Sequence, residues 1–192
     1  MSRFPHAEFL TSAAAPAHFP PDQGAEVAFA GRSNSGKSSA INAIVQRVGL
    51  ARTSKTPGRT RLLNFFDLGL DRRIVDLPGY GYASAPEAER RTWAPMIDAL
   101  RGRQSLRALF LIVDSRRGLL DGDEGLIQWA APPDLPVHVL LSKADKLNRR
   151  ESLDALRNAN AALDGLATVQ LFSVLNKTGI TQAQDALDHW LK

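Results

Sequence analysis

Apolar positions fall into short runs separated by helix-length stretches. The runs Glu26–Ala30, Leu62–Leu68, Arg73–Leu77, Ala108–Val113, Val137–Leu141 and Val169–Phe172 have the length and side-chain content of strands. Between them, apolar residues recur every three or four positions over Ser38–Val48, Pro86–Arg103, Asp123–Ala130, Arg149–Leu163 and Thr181–Leu191, which predicts five helices. Alternation of this kind predicts an α/β layered domain with a mostly parallel six-stranded sheet and helices on both faces. One connection, Gly69–Asp71, is too short for a crossover, so the two runs it joins should form an antiparallel hairpin and give the sheet one antiparallel strand.

Residues 1–25 carry Pro5, Pro16, Pro20 and Pro21 and read as an extended arm, from which Ala7–Ser12 can add an edge strand to the domain formed by residues 26–192. A chain of 192 residues with 44% hydrophobic and 23% charged residues suits one globular domain and excludes collagenous, coiled-coil and disordered classes. The absence of cysteine removes disulfides, thiolate metal sites and cysteine nucleophiles. The four histidines show no ligand spacing. No apolar run approaches the roughly 18 residues a membrane span needs. Arg3 and Ser12–Ala17 imitate the two ends of an export signal, but Pro5, His6 and Glu8 interrupt the apolar stretch between them, so a cytoplasmic location is expected.

The chemistry begins after the first strand. Gly31-Arg32-Ser33-Asn34-Ser35-Gly36-Lys37-Ser38, followed by Ser39, fits G-x-x-x-x-G-K-[ST] between a strand and a helix. In that pattern the glycines let the backbone curl so that successive N–H groups face phosphate. The lysine, here Lys37, reaches the β- and γ-phosphates, and the hydroxyl, here Ser38, ligates Mg²⁺ at the positive end of the helix. The competing reading, a Gly/Ser turn that merely caps a helix, leaves the lysine without a purpose.

The third strand ends in Asp76-Leu77-Pro78-Gly79 at the edge where ligands of open α/β sheets bind. In a nucleotide switch such a carboxylate holds Mg²⁺, and the N–H of the glycine, here Gly79, senses the γ-phosphate. The segment Thr53–Arg61 is rich in glycine, proline and hydroxyls, a composition suited to a loop that orders on the nucleotide. Within Gly58, Arg59, Thr60, Arg61 and Leu62 the expected third Mg²⁺ contact is Thr60, with Thr56 the rival. The fifth strand runs into Ser142-Lys143-Ala144-Asp145, where a carboxylate can accept two hydrogen bonds from guanine and Lys143 can cover the base with its stem. Ser142 stands where such a box usually carries asparagine, which shortens one bridge to the phosphate loop. Phe172-Ser173-Val174 ends the sixth strand; the N–H of Val174 can meet guanine O6 and Ser173 can brace the loop.

With these elements in order, the chain resembles the translation-factor-like class of GTPases and, closely, the EngB family of ribosome-biogenesis GTP-binding proteins. The resemblance rests on Gly31–Ser39, Lys55–Thr60, Asn64-Phe65-Phe66, Asp76–Tyr82, Ser142–Asp145 and Phe172-Ser173, and it spans nearly the whole chain. It implies a Ras-like P-loop G domain that binds GTP and GDP with Mg²⁺, hydrolyses GTP and assists assembly of the large ribosomal subunit, with a link to cell division in some members. The family's base box usually starts with threonine, so Ser142 keeps the hydroxyl. Asn34 adds K⁺ as a further cofactor, because related GTPases with this asparagine coordinate that ion. The alternatives are a P-loop ATPase or nucleoside kinase, which Ser142–Asp145 argues against, and a module that holds nucleotide structurally.

Tyr80 follows Gly79, at the position where many small GTPases carry a water-orienting glutamine, so slow unaided hydrolysis is expected. Arg59 and Arg61 are read as groups for external phosphate rather than for catalysis, and Tyr80 and Tyr82 as a partner-facing surface. The 24 basic residues exceed the 20 acidic ones, and the excess is local. Arg47, Arg52, Lys55, Arg59, Arg61, Arg72 and Arg73 face only Asp67 and Asp71, a net +5 over residues 47–73 against a net +4 for the chain. Ribosomal RNA is the partner this implies, docking on a monomer without membrane contact. Arg116-Arg117 and Arg149-Arg150 are read as solvated, and Trp93, Trp129 and Trp190 as core residues of helices.

Overall fold

In a computed structural model, which describes residues 3–52, 62–80, 95–130 and 135–192, seven strands form one sheet in the order β1-β3-β4-β2-β5-β6-β7. The strands are β1 (Glu8–Ala13), β2 (Ala25–Gly31), β3 (Leu63–Gly69), β4 (Arg72–Asp76), β5 (Leu106–Asp114), β6 (Val137–Ser142) and β7 (Thr168–Leu171). The helices are α1 (Lys37–Val45), the helical residues 95–101 (α2), α3 (Asp121–Ala130), α4 (Arg149–Leu163) and α5 (Ile180–Trp190). The pairs β2–β4, β2–β5, β5–β6 and β6–β7 are parallel, and β3 runs against both neighbours. The arm thus adds a seventh strand at the edge, and β3 is the antiparallel one.

Period-two alternation explains the layers. Ala28, Ala30, Leu109, Leu111 and Val113 enter a core closed by α2, α3 and α4; Val27, Phe29, Ala108, Phe110 and Ile112 enter a second core closed by α1 and α5. Trp129 packs against the first core and Trp190 against the second, as read from the sequence; Trp93 lies outside the described residues. Phe4 and Ala7 are fully buried and anchor the arm. β3 and β4 meet through Leu70 and Asp71, both at positive φ (58° and 54°), the two-residue turn that matches strand twist.

Helix α1 stops at Val45, three residues short of the predicted end. Gln46 adopts a left-handed conformation, and Asn42 clamps the following chain through hydrogen bonds with both backbone groups of Ala51 (2.7 and 2.9 Å). Among the described residues no helix is long and apolar enough to cross a membrane.

Parallel pairing brings the carboxyl ends of β2, β4, β5 and β6 to one edge. Gly31, Asp76, Asp114 and Ser142 therefore end their strands side by side, on either side of the point where the connections diverge.

Candidate functional site

The phosphate loop leaves β2 at Gly31 and turns into α1 at Gly36, which holds φ 96° and ψ 15°. A Cβ at that backbone conformation is strained, so the glycine fixes the curl that aims the N–H groups of the first helical turn outward. Lys37 opens the helix, and its Nζ pairs with Asp76 at the end of β4, both side chains being largely buried. The Ser38 hydroxyl donates to the carbonyl of Arg52 at 3.4 Å. Lys37 and Asp76 thus meet at the start of α1, where Ser38 is the next residue of the helix. No group of three or more His, Asp or Glu forms a metal cage among the described residues, so a hard cation here has to complete its shell with phosphate oxygens and water. Ser38 and Asp76 suit Mg²⁺ in that role. Gly58, Arg59, Thr60 and Arg61, with the rival Thr56, lie outside the described residues; Leu62 directly precedes β3.

The base end is tied to this loop by side chains. Ser142, almost fully buried, donates its single hydroxyl proton to the carbonyl of Ser35 at 2.5 Å, with the carbonyl of Val113 at 3.0 Å sharing it. The shortened side chain therefore still reaches the loop. Lys143, held at φ 57°, reaches back with Nζ to the carbonyl of Asn34 (2.6 Å) and to Asp114 Oδ2 (2.9 Å), so its stem lies over the loop. Asp145 accepts the hydroxyl proton of Ser173 at 2.6 Å, which above all holds its carboxyl below the usual carboxylate range. Ala144 N–H donates to the carbonyl of Phe172 (3.1 Å), and Ser173 N–H to that of Thr178 (3.0 Å), fixing the loop that carries the exposed Val174. The residues predicted from the two strand ends are thus brought together.

At the end of β4, Leu77 is buried while Pro78 and Gly79 are half-buried. Gly79 lies against the phosphate loop so closely that a Cβ would sit 2.9 Å from Ser33 Oγ and 3.3 Å from Ser33 N and Cα. Tyr80 bridges Arg32 in parallel β fashion, with Ser33 N–H donating to its carbonyl at 2.9 Å. Its ring packs on the core and its hydroxyl donates to Asp123, so Tyr80 turns inward, against the expectation of a partner-facing side chain; Tyr82 lies outside the described residues.

Two carboxylates were missed in the sequence. Asp114 ends β5 and is held well below the usual carboxylate range by the fork of Arg116 (3.0 and 2.7 Å), assisted by Lys143. Arg116 is therefore engaged rather than simply solvated. The available signal was position, a carboxylate ending a strand at the ligand edge, as with Asp76. Asp123, fully buried in the first turn of α3, carried no such signal.

The basic stretch also needs revision. Arg73 is buried and pairs with Glu26 (2.8 Å), which Arg103 also meets (2.7 Å). Arg72 donates to the carbonyl of Gly69 (3.1 Å) and lies over the ring of Phe4. Arg47 and Arg52 are exposed; Lys55, Arg59 and Arg61 lie outside the described residues. Arg73 thus belongs to the inside of the fold, not to a basic surface.

Residues 26–143 match the family model described as 50S ribosome-binding GTPase. The chain is 50% identical over 194 residues to a probable GTP-binding protein EngB of Pseudoalteromonas atlantica, covering 99% of this chain and 94% of the relative. It is 46% identical over 193 residues to the one of Coxiella burnetii, covering 98% and 94%. Among solved structures, a probable GTP-binding protein engB superposes with a TM-score of 0.67 at 23% identity over 87% of this chain and 98% of that one, a likeness of fold. A loop between β2 and α1 tied by side chains to Ser142 and Lys143, together with relatedness of this extent over the whole chain, places the protein in the EngB family of GTP-binding proteins, which are GTPases.

Proposed function

We propose that the protein is a guanine-nucleotide switch whose GTP-bound form docks on the large ribosomal subunit during its assembly, and that hydrolysis ends the contact. The observation that carries this reading is the double tie between base box and phosphate loop, Ser142 to Ser35 and Lys143 to Asn34. It sets Asp145 and Lys37 at the two ends of one rigid frame, so a ligand that satisfies both carries a hydrogen-bonding base at one end and phosphates at the other. A carboxylate held ionised favours guanine, which returns two donors, over adenine, which offers one donor and an acceptor on that edge.

In this reading residues 26–192 form the nucleotide domain and residues 1–25 its arm. Lys37 leaves Asp76 for the phosphates, Ser38 and Asp76 hold Mg²⁺, and Thr60 completes the set. Bound Mg²⁺ supplies neutralisation of the charge shared by the β- and γ-phosphates. Gly79 N–H reports the γ-phosphate. Tyr80 offers no group to orient the attacking water, so a partner supplies it and unaided turnover is slow. K⁺ beside Asn34 is part of the same proposal, and equal turnover in KCl and NaCl would remove it. Arg47 and Arg52, with Lys55, Arg59 and Arg61, supply the phosphate contacts to ribosomal RNA, next to the loop that reads the nucleotide.

Nucleotide competition tests the first half: GTP should displace labelled GDP while ATP at a hundredfold higher concentration does not. Equal displacement by ATP would return the chain to the kinase or ATPase class. Co-sedimentation with ribosomal subunits tests the second half. Retention on the large subunit with a GTP analogue and release with GDP are expected, and equal retention of both forms would overturn the switch.

A further inference from the structure

Three elements of the site meet away from the phosphates. The Tyr80 hydroxyl donates to Asp123 Oδ1, the other oxygen of Asp123 accepts the N–H of Leu120 at 2.9 Å, and Asp123 is fully buried. Arg32, from the phosphate loop, lies beside the Tyr80 ring: a Cβ at Gly122 would stand 3.5 Å from Arg32 Nη1 and 3.4 Å from Tyr80 Cε2. The positive charge of Arg32 acts on both Tyr80 and Asp123. Burial pushes the Asp123 carboxyl above the usual carboxylate range, and the phenol, the Leu120 N–H and the nearby guanidinium offset part of that cost. The hydroxyl of Tyr80 thus joins the residue after Gly79 to the first turn of α3.

The chain geometry gives this contact a consequence. Gly79 and Tyr80 are adjacent, so a movement of the Gly79 peptide toward a γ-phosphate carries Tyr80 with it. Lys37 and Asp76 are joined, a pairing that has to open when Lys37 takes phosphate and Asp76 a cation. The tyrosine–aspartate contact belongs to the joined arrangement. Tyr80 also walls a cavity of about 320 Å³ that touches Ser33, Asn34 and Lys143 on one side and Gly118 and Leu120 on the other. Movement of this one ring reshapes both.

We propose that Asp123 is a positioning residue that latches Tyr80 in the resting arrangement, and that release of this latch carries nucleotide state to residues 115–123 and the start of α3. The proposal rests on the guanine-nucleotide reading above.

The test uses the full chain with Tyr80→Phe, which removes only the hydroxyl, Asp123→Ala, which removes the acceptor, and the double variant. The readouts are affinities for GDP and a non-hydrolysable GTP analogue, and hydrogen exchange of residues 115–126 with and without nucleotide. Loss of the latch should raise analogue affinity relative to GDP roughly tenfold in either single variant, with no further gain in the double. The same amides should exchange faster in nucleotide-free Tyr80→Phe than in the nucleotide-free parent, and faster in the analogue-bound parent than in its GDP form. An unchanged affinity ratio in Tyr80→Phe overturns the proposal, as do strictly additive shifts. If Asp123→Ala does not fold, the ratio and exchange in Tyr80→Phe decide alone. Failure of the parent to bind GDP would instead defeat the guanine-nucleotide reading, so the two failures are distinguishable.

Discussion

Where β6 and β7 end, each key polar group already has a protein partner, whereas where β4 ends two opposite charges are held on each other. At the first corner Ser142 bonds Ser35, Lys143 bonds Asn34 and Asp114, and Asp145 accepts from Ser173. None of these contacts has to break for Asp145 to offer its remaining lone pairs to a base. At the second, Lys37 and Asp76 satisfy one another and Tyr80 is tied to Asp123, so a phosphate and a cation bound as proposed above would have to exchange partners with the protein. In the proposed role, base recognition is preorganised, with little ordering left to oppose binding. Phosphate recognition is an exchange of contacts, which is what a two-state response requires.

The most disruptive way to break this contrast is at the base. Asp145→Asn leaves one acceptor and one donor where two acceptors stood, so GDP affinity should fall about a hundredfold or more, with xanthosine diphosphate gaining on it. Fluorescent-nucleotide titration of both bases reads this directly, and an unchanged base preference would place the guanine contact elsewhere. Ser142→Ala strips a buried donor from the Ser35 carbonyl, a loss of about 1–3 kcal/mol, and should weaken GDP and GTP equally by about tenfold. A selective loss of GTP would mean that the base corner takes part in switching. Gly79→Ala acts at the other corner: the Ser33 hydroxyl can rotate away, but Ser33 N and Cα cannot, so the peptide is held off the loop. Affinity for a GTP analogue should fall about fivefold while GDP affinity changes less than twofold.

The sheet, its hairpin and the phosphate loop were legible in the sequence because their signals are local: period-two alternation, a three-residue connection and fixed glycines around Lys37. Side-chain destinations set by distant partners were not. Arg73 reads as one more surface charge until Glu26, 47 residues away, draws it inside. Tyr80 reads as an exposed aromatic between glycines until Asp123, 43 residues on, claims its hydroxyl. Asp123 itself looks like an ordinary acidic first-turn residue of a helix, which is where carboxylates are favoured on any surface helix. The overrun of α1 has the same origin at shorter range: helix propensity favours continuation past Gln46, and Asn42 holding Ala51 decides against it.

The smallest expected effect lies beneath the base corner, in the strands that deliver Ser142 and Ser173. His138 of β6 sits between Thr168 and Gln170 of β7, with Nδ1 2.6 Å from Thr168 Oγ1 and Nε2 2.9 Å from Gln170 Oε1. Gln170 Nε2 donates to the carbonyl of Gly179 at 2.8 Å, which leaves Oε1 to accept and assigns the proton of neutral His138 to Nε2, with Nδ1 accepting from the threonine. Burial depresses the pKa of the ring below 6.5. The unfolded chain therefore binds the proton first as pH falls. The stability that rests on a neutral ring is complete above pH 6.5 and is lost as pH drops through the folded-state value, by at most about 1.4 kcal/mol per pH unit. Urea unfolding at intervals from pH 7.5 to 5.5 should show a loss of no more than about 1.4 kcal/mol in the parent, and His138→Gln, neutral throughout, should show a shallower slope. Parallel slopes in the two proteins would show that the ring is not what couples this strand pair to pH. A fall in GDP affinity that follows the fall in stability in the parent alone would show, in contrast, that the base corner is only as preorganised as the strand pair beneath it.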